Sequence, residues 1–171
     1  MIDLNLTEKQ FENDIEYSLL TYCGYEKGDP RAFDRVVALD TDTLISFVKA
    51  TQPNSWKKYE TIYGTSSEKS FVERFCKEVR SLGLLSVLRH GFKDRGITFR
   101  VVYWKPETSI NQTAQEQYAR NVLHCTRQLH YSPNNENSID IVLFVNGIPV
   151  VSMELKNQFT GQDTDNAIRQ Y

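Results

Sequence analysis

Apolar residues recur every three to four positions in residues 8–22 and 67–82, and this spacing predicts two amphipathic helices. The first predicted helix has an apolar stripe formed by Phe11, Ile15 and Leu19. Weaker helical patterns occupy three further stretches, namely 42–51, 112–120 and a segment that begins near residue 165.

From about residue 85 the pattern changes to one typical of strands. Residues 97–104 and 121–131 are rich in strand-forming side chains. Two apolar strands then lie on either side of Asn146-Gly147, a dipeptide that favours a hairpin turn. Together these patterns predict an α/β fold with a mixed central β-sheet flanked by helices.

The chain length of 171 residues is typical of a single domain. The last predicted helix has no C-terminal stop signal, and a helix of about two turns is marginal on its own. A short terminal helix would explain this, but we favour the alternative that residues 1–171 form one domain of a longer polypeptide.

Charge and cysteine content restrict the class of protein. The net charge of -2 gives no overall attraction to nucleic acid, so any contact with DNA must use local basic patches or a larger assembly. No stretch approaches the roughly 18 consecutive apolar residues of a membrane span, and the N-terminus lacks the features of a signal peptide. The three cysteines are widely spaced, which favours a reducing, cytoplasmic location over a disulfide framework.

Three ionisable residues lie in or next to the predicted hairpin. Asp140 enters the first strand, and Glu154 and Lys156 follow the second. An unpaired charge is costly in a buried strand, so a bound metal ion is the simplest reason for two carboxylates there. Glu-x-Lys alone is common on exposed strands, but both strands look buried on both faces, which favours a chemical role.

The two acids share a face only if the hairpin departs from a strict two-residue turn. Such a turn would pair Asp140 with Met153 and direct Glu154 to the other face. A bulged turn, or a bulge in one strand, would make the two acids diagonal neighbours roughly 7–8 Å apart. The metal interpretation therefore predicts a bulge.

Given that geometry, Asp140, Glu154 and the backbone carbonyl of Leu155 offer hard oxygen ligands for Mg²⁺ or Mn²⁺. Lys156 would lie beside the ion, where it could orient the attacking water or offset charge on a phosphate. An acid of the first helix, either Glu12 or Glu16 one turn further along, could add a third carboxylate.

The spacing Asp140…Glu154-Leu155-Lys156 resembles the PD-(D/E)xK nuclease motif. The segment 139–149, together with 154–157, resembles the N-terminal endonuclease domain of the R (restriction) subunit of type I restriction-modification enzymes. The similarity is densest from Asn121 onward.

This resemblance implies a restriction-endonuclease-like fold with Asp140, Glu154 and Lys156 as the catalytic trio and Glu12 as the acid of the first helix. It also implies a glutamine on the helix after the trio. Gln170 is the candidate, although it is adjacent to the following tyrosine instead of four residues before it.

The resemblance further implies a Mg²⁺-dependent endonuclease that acts on double-stranded DNA together with specificity and methylation subunits. ATP would be used only by helicase-like motor domains outside this chain, since the chain has no Gly-x-x-x-x-Gly-Lys-Ser/Thr loop. Two alternatives remain. The domain could be a stand-alone repair nuclease of the same superfamily, or a non-catalytic docking module of a DNA translocase.

Overall fold

The computed structural model describes residues 8–108 and 110–156, which contain both helices and strands. The helices are α1 (Glu8–Tyr22), α2 (Thr41–Thr51), α3 (Pro53–Tyr63), α4 (Ser67–Leu82), α5 (Leu84–His90) and α6 (Gln112–Ala119). The strands are β1 (Glu26–Lys27), β2 (Phe92–Asp94), β3 (Ile97–Phe99), β4 (Leu123–His130), β5 (Ser138–Val145) and β6 (Ile148–Met153). None of the described helices is long and apolar enough to cross a membrane.

Four of the strands form one mixed sheet in the order β1-β4-β5-β6. β1 is parallel to β4, whereas β4, β5 and β6 are joined in antiparallel fashion. β2 and β3 form a separate antiparallel hairpin among the helices. The predicted mixed α/β architecture is thereby confirmed.

The larger core lies between helices α2 to α5 and the β2–β3 hairpin. Its centre is a group of buried aromatic rings, namely Trp56, Tyr59, Phe71, Phe75, Phe92 and Phe99. The rings of Tyr59 and Phe99 meet edge to face, with centroids 5.2 Å apart, an arrangement that adds attraction beyond the burial of apolar area. The Tyr59 and Tyr63 hydroxyls both donate to Asp94 Oδ2 at 2.8 Å, which satisfies the polar atoms at the edge of this core.

The β5–β6 turn is anchored in this helical part of the molecule. Asn146 is fully buried, its Nδ2 donates to the Val101 carbonyl at 2.9 Å and its Oδ1 accepts from the Val122 N–H at 2.7 Å. The Gly147 carbonyl accepts from the Asp40 N–H at 2.9 Å. The turn is thus fixed at one end of the hairpin, and the ionisable residues lie at the other end.

Several predicted elements differ in the structure. Residues 84–90 form a helix instead of a strand, since Val87 and Leu88 are buried on one helical face. A helix that was not predicted, α3, begins at Pro53, because proline fits the first helical turn, where its missing N–H is not needed. The strand predicted over 97–104 ends at Phe99 because the Arg100 N–H donates to Gln52 Oε1 at 2.8 Å and leaves the ladder.

Burial along α1 follows its predicted apolar stripe only in part. Phe11 is 49% exposed, whereas Glu12 and Glu16 are only 5% and 8% exposed. Ile15 and Leu19 pack at the border of a second, smaller core against the sheet. The two acids are buried because a cation from β4 reaches them, as described below.

The expectation that both strands of the hairpin are buried on both faces is wrong for β6. Val150 and Val151 are 39% and 46% exposed. Within the described residues β6 is at the edge of the sheet, so its outer side has no neighbouring strand. The first strand, β5, is covered on both sides, with Ile141 in one core cluster and Val142 in another.

Candidate functional site

The predicted bulge is present, and it lies in β6. Val145 pairs with Ile148 across the Asn146-Gly147 turn, which is the tight turn that by itself would separate the two acids. The register then shifts between Leu143 and Phe144, and Val150 is passed over in the ladder. Because of this extra residue in β6, Asp140 and Glu154 lie on the same face of the sheet, as the metal interpretation requires.

Beyond the bulge, Ile141 pairs with Met153, the last residue of β6, and the same register continued by one residue sets Asp140 opposite Glu154. They are direct cross-strand neighbours instead of the expected diagonal ones. Burial raises the pKa of Glu154, and the nearby Asp140 carboxylate raises it further, while Lys156 acts in the opposite direction. The structure therefore brings the three predicted residues of the trio together at the open end of the hairpin.

Both carboxylate oxygens of Asp140 have partners within the protein. Oδ1 accepts from Gln128 Nε2 at 3.1 Å, and Oδ2 accepts from the Leu155 N–H at 2.7 Å. The second bond fixes the segment after β6 against β5. Each carboxylate oxygen can accept more than one contact, so Asp140 retains the capacity to bind a cation.

Glu12 lies beside these residues, and its main partner is Arg127 of β4. Arg127 Nε donates to Glu12 Oε1 at 2.8 Å, and its Nη1 donates to Glu16 Oε2 at 3.0 Å. The hydrogen bond from Arg127 lowers the pKa of Glu12, and the same bond raises the pKa of Arg127. Lys27 Nζ also lies 3.6 Å from Glu16 Oε1.

Sequence analysis did not identify Arg127 or Gln128. A signal for Arg127 existed, because two acids one turn apart on a packed helix require a buried cation from a neighbouring element. No comparable signal marked Gln128, whose contacts depend on the path of the backbone in β4.

The site opens into a cleft of about 380 Å³ between α1 and the sheet. Its described lining consists of Glu8, Lys9, Glu12, Arg127, Gln128, Asp140 and Leu155. Glu154 and Lys156 adjoin Asp140 but are not among these lining residues. Gln170 lies outside the described residues.

The donor set at the hairpin suits a magnesium-type ion that keeps part of its water shell. In residues 8–108 and 110–156, no three His, Cys, Asp or Glu side chains are grouped closely enough to hold a metal ion. Mg²⁺ is nevertheless often held by one or two carboxylates together with waters and substrate phosphates. Asp140 and Glu154 fit that pattern, since two carboxylates facing each other form a local concentration of negative charge that a divalent cation relieves.

Comparison with known families decides what kind of domain carries this site. A family model described as type I restriction enzyme R protein N terminus matches residues 5–171. The chain belongs to this family. The resemblance found in the sequence is thus confirmed, and the chain is an N-terminal domain of an R protein of the type I restriction system. No curated protein and no solved structure matches this chain.

Proposed function

We propose that this R-protein domain is a metal-dependent endonuclease that hydrolyses phosphodiester bonds in double-stranded DNA. Mg²⁺ or Mn²⁺ would be held by Asp140, Glu154 and the backbone carbonyl of Leu155. The β6 bulge is the observation that supports this most strongly, because without it the two acids would face opposite sides of the sheet. Membership in a restriction enzyme family makes DNA the expected substrate.

When bound, the ion would polarise a phosphate oxygen and lower the pKa of a coordinated water. Lys156 would orient the attacking water or offset charge on the phosphate oxygens, since it lies close enough to Glu154 to affect the pKa of that acid. Glu12 would act from α1 as the fourth acidic or polar member of the site, held in place by Arg127. Gln170 is a further candidate for the same site.

Lys9 of α1 lines the cleft and would contact the DNA backbone. Phosphate contacts from lysines position DNA without reading its sequence. A local cation of this kind can act although the whole chain has a net charge of -2.

We also propose that residues 1–171 form one domain of a longer R subunit. Its motor domains would bind ATP and move DNA, and specificity and methylation subunits would complete the restriction-modification complex. This division of labour would leave the nuclease domain without any need for tight, sequence-specific DNA binding.

A plasmid cleavage assay tests the activity. The unmodified chain, with Mg²⁺ or Mn²⁺, should convert supercoiled DNA to nicked or linear forms, and EDTA should abolish the conversion. Asp140→Asn and Lys156→Ala should reduce the rate at least about 100-fold, as expected for groups that act together at the reacting centre. Lys57→Ala changes an exposed lysine of α3 and serves as the control. Equal cleavage by the Asp140→Asn variant would contradict the proposal.

The non-catalytic alternative is tested in the assembled enzyme. A full R subunit that carries Asp140→Asn should still assemble and translocate DNA while cutting none. Cleavage at the normal rate by that assembly would show that the nuclease centre lies elsewhere.

A further inference from the structure

Gln128 occupies an unusual backbone position in the middle of β4. Its φ angle is 48°, in the left-handed region that glycine adopts freely and glutamine rarely does. The neighbouring residues Arg127 and Leu129 keep regular pairing with Ile141 and Ile139 of β5. The register of β4 against β5 is therefore the same on both sides of Gln128, which lies across from Asp140.

The distortion changes which way β4 side chains face. Cys125 and Leu129 are four residues apart and would share one face of a regular strand. Instead Cys125 packs with Ile141 on the α1 side, whereas Leu129 packs with Val142 in a different cluster. Because alternation is broken at Gln128, two successive side chains, those of Arg127 and Gln128, both reach the carboxylate of Glu12.

The Gln128 amide connects two acids that come from different elements. Its Nε2 donates to Asp140 Oδ1 at 3.1 Å and to Glu12 Oε1 at 3.3 Å. Ser138 Oγ donates to Gln128 Oε1 at 3.1 Å, which holds the amide with its nitrogen towards the acids. An amide nitrogen carries two hydrogens, so each carboxylate can receive one.

A neutral donor has a specific advantage at this place. Glu12 is already paired with Arg127, so a second cation in place of Gln128 would neutralise Asp140 and compete with a metal ion for it. An amide fixes the positions of both carboxylates without adding positive charge. Backbone strain held at a cleft in this way is typical of functional sites.

We propose that Gln128 is a positioning residue that sets the placement of Asp140 relative to Glu12 and thereby the affinity of the cleft for its divalent ion. This inference rests on the proposed function, since it concerns the same metal-binding acids. Hydrogen-bonding partners of metal ligands commonly change metal affinity by about 10- to 100-fold when they are removed.

Two substitutions separate the hydrogen bonds from the backbone strain. Gln128→Met keeps the length of the side chain and the strained backbone but removes the donor. Gln128→Gly removes the donor and also relieves the strain, so it should be more stable than Gln128→Met. If Gln128 acts through its amide, both variants should bind Mn²⁺ about tenfold more weakly than the unmodified chain in calorimetry, although their stabilities differ.

Ala38→Gly serves as the control. It relieves a similar strain, at a φ of 57°, in an exposed residue outside this cleft, and should leave Mn²⁺ affinity unchanged.

The other outcomes are distinguishable. Unchanged affinity in both Gln128 variants, with binding lost in Asp140→Ala, would overturn the role of Gln128 and leave the proposed function standing. Weak Mn²⁺ binding by Gln128→Met together with normal binding by Gln128→Gly would show that Mn²⁺ affinity follows the stability of the protein. That result would also overturn the role of Gln128. Absence of Mn²⁺ binding by the unmodified chain would overturn the proposed function and this inference with it.

Discussion

The Arg127 guanidinium donates to the Glu12 carboxylate at 2.8 Å, and this ion pair ties α1 to the centre of the sheet. The side chains of Glu12 and Arg127 are only 7% and 21% exposed. Glu16 is held by the same guanidinium one turn further along the helix. Arg127 is thus shared by two acids of α1 and helps to fix this helix, and with it one wall of the cleft.

Removal of that cation should destabilise the domain strongly. Arg127→Ala leaves Glu12 and Glu16 largely buried without their main partner, and we expect a loss of about 3 kcal/mol in the free energy of unfolding at pH 7. Urea unfolding followed by circular dichroism measures it. Arg31→Ala breaks the fully exposed pair with Asp29 and should leave stability unchanged. A loss no larger in Arg127→Ala than in this control would contradict the structural role of the pair.

The contribution of Glu12 should depend on pH in a defined direction. The pKa of Glu12 is lowered in the folded state, so its contribution to stability is present above its ordinary value of about 4.5 and is lost as the pH falls through the lowered value. Glu12→Gln should therefore reduce the free energy of unfolding by about 1.5 kcal/mol at pH 7, and by progressively less below about pH 4.5. Unfolding of both proteins between pH 7 and pH 3 tests this.

Asp14 provides the control for that series. It is an exposed acid on the same helix, and Asp14→Asn should stay close to the unmodified chain at pH 7. A Glu12→Gln difference that grows on acidification would reverse the predicted sign and contradict the assigned cause.

The contact of the hairpin turn with α2 is tested by a pair of glycine substitutions. Both Gly147, at a φ of 80°, and Gly96, at 84°, have left-handed backbones. A Cβ at Gly147 would lie 2.2 Å from the Asp40 carbonyl oxygen, whereas one at Gly96 would meet nothing within 4 Å. Gly96→Ala should cost about 1 kcal/mol through backbone strain alone, and Gly147→Ala at least about 2 kcal/mol more. Equal losses in denaturant unfolding would mean that the turn is not tightly seated.

The cysteines should differ sharply in reactivity. Burial, with a further contribution from nearby Glu16, raises the pKa of Cys125 to about 11, whereas Cys23 is exposed. Because the thiolate is the reactive form, Cys125 should stay unmodified by a thiol reagent at pH 8 until the protein unfolds. Cys23 should react at once, and Cys23→Ser should remove that fast phase. Rapid modification of Cys125 in the folded protein would contradict its buried placement.

Local sequence patterns predicted much of the architecture. The helices 8–22 and 67–82 were predicted from apolar spacing, and α1 and α4 have those bounds. The need for a bulge followed from the parity of Asp140 and Glu154, without knowledge of where it would lie. The position of the bulge in β6 could not be predicted, because it depends on the tight Asn146-Gly147 turn. That turn is held by hydrogen bonds from the Asn146 side chain to the backbone of Val101 and Val122, which are distant in the sequence.

Long-range contacts account for what the sequence did not show. Glu12 and Arg127 are far apart in the chain, so the burial of acids in place of Phe11 was not visible in the helical pattern. The left-handed backbone at Gln128 could not be predicted from the sequence, because glutamine is compatible with a regular β-strand. The proximity of Asp140 and Glu154, by contrast, followed from the local hairpin pattern, and their catalytic role stays a prediction.

Calorimetric titration with Mn²⁺ tests the central claim most directly, because it does not require the motor or the partner subunits. The unmodified chain should bind Mn²⁺, and Asp140→Ala should lose that binding or weaken it by at least about tenfold, since it removes one of the two carboxylates that face each other. Asp14→Ala, an exposed acid of α1, should bind as the unmodified chain does. Equal Mn²⁺ affinity in the unmodified chain and in Asp140→Ala would contradict a metal centre at the hairpin.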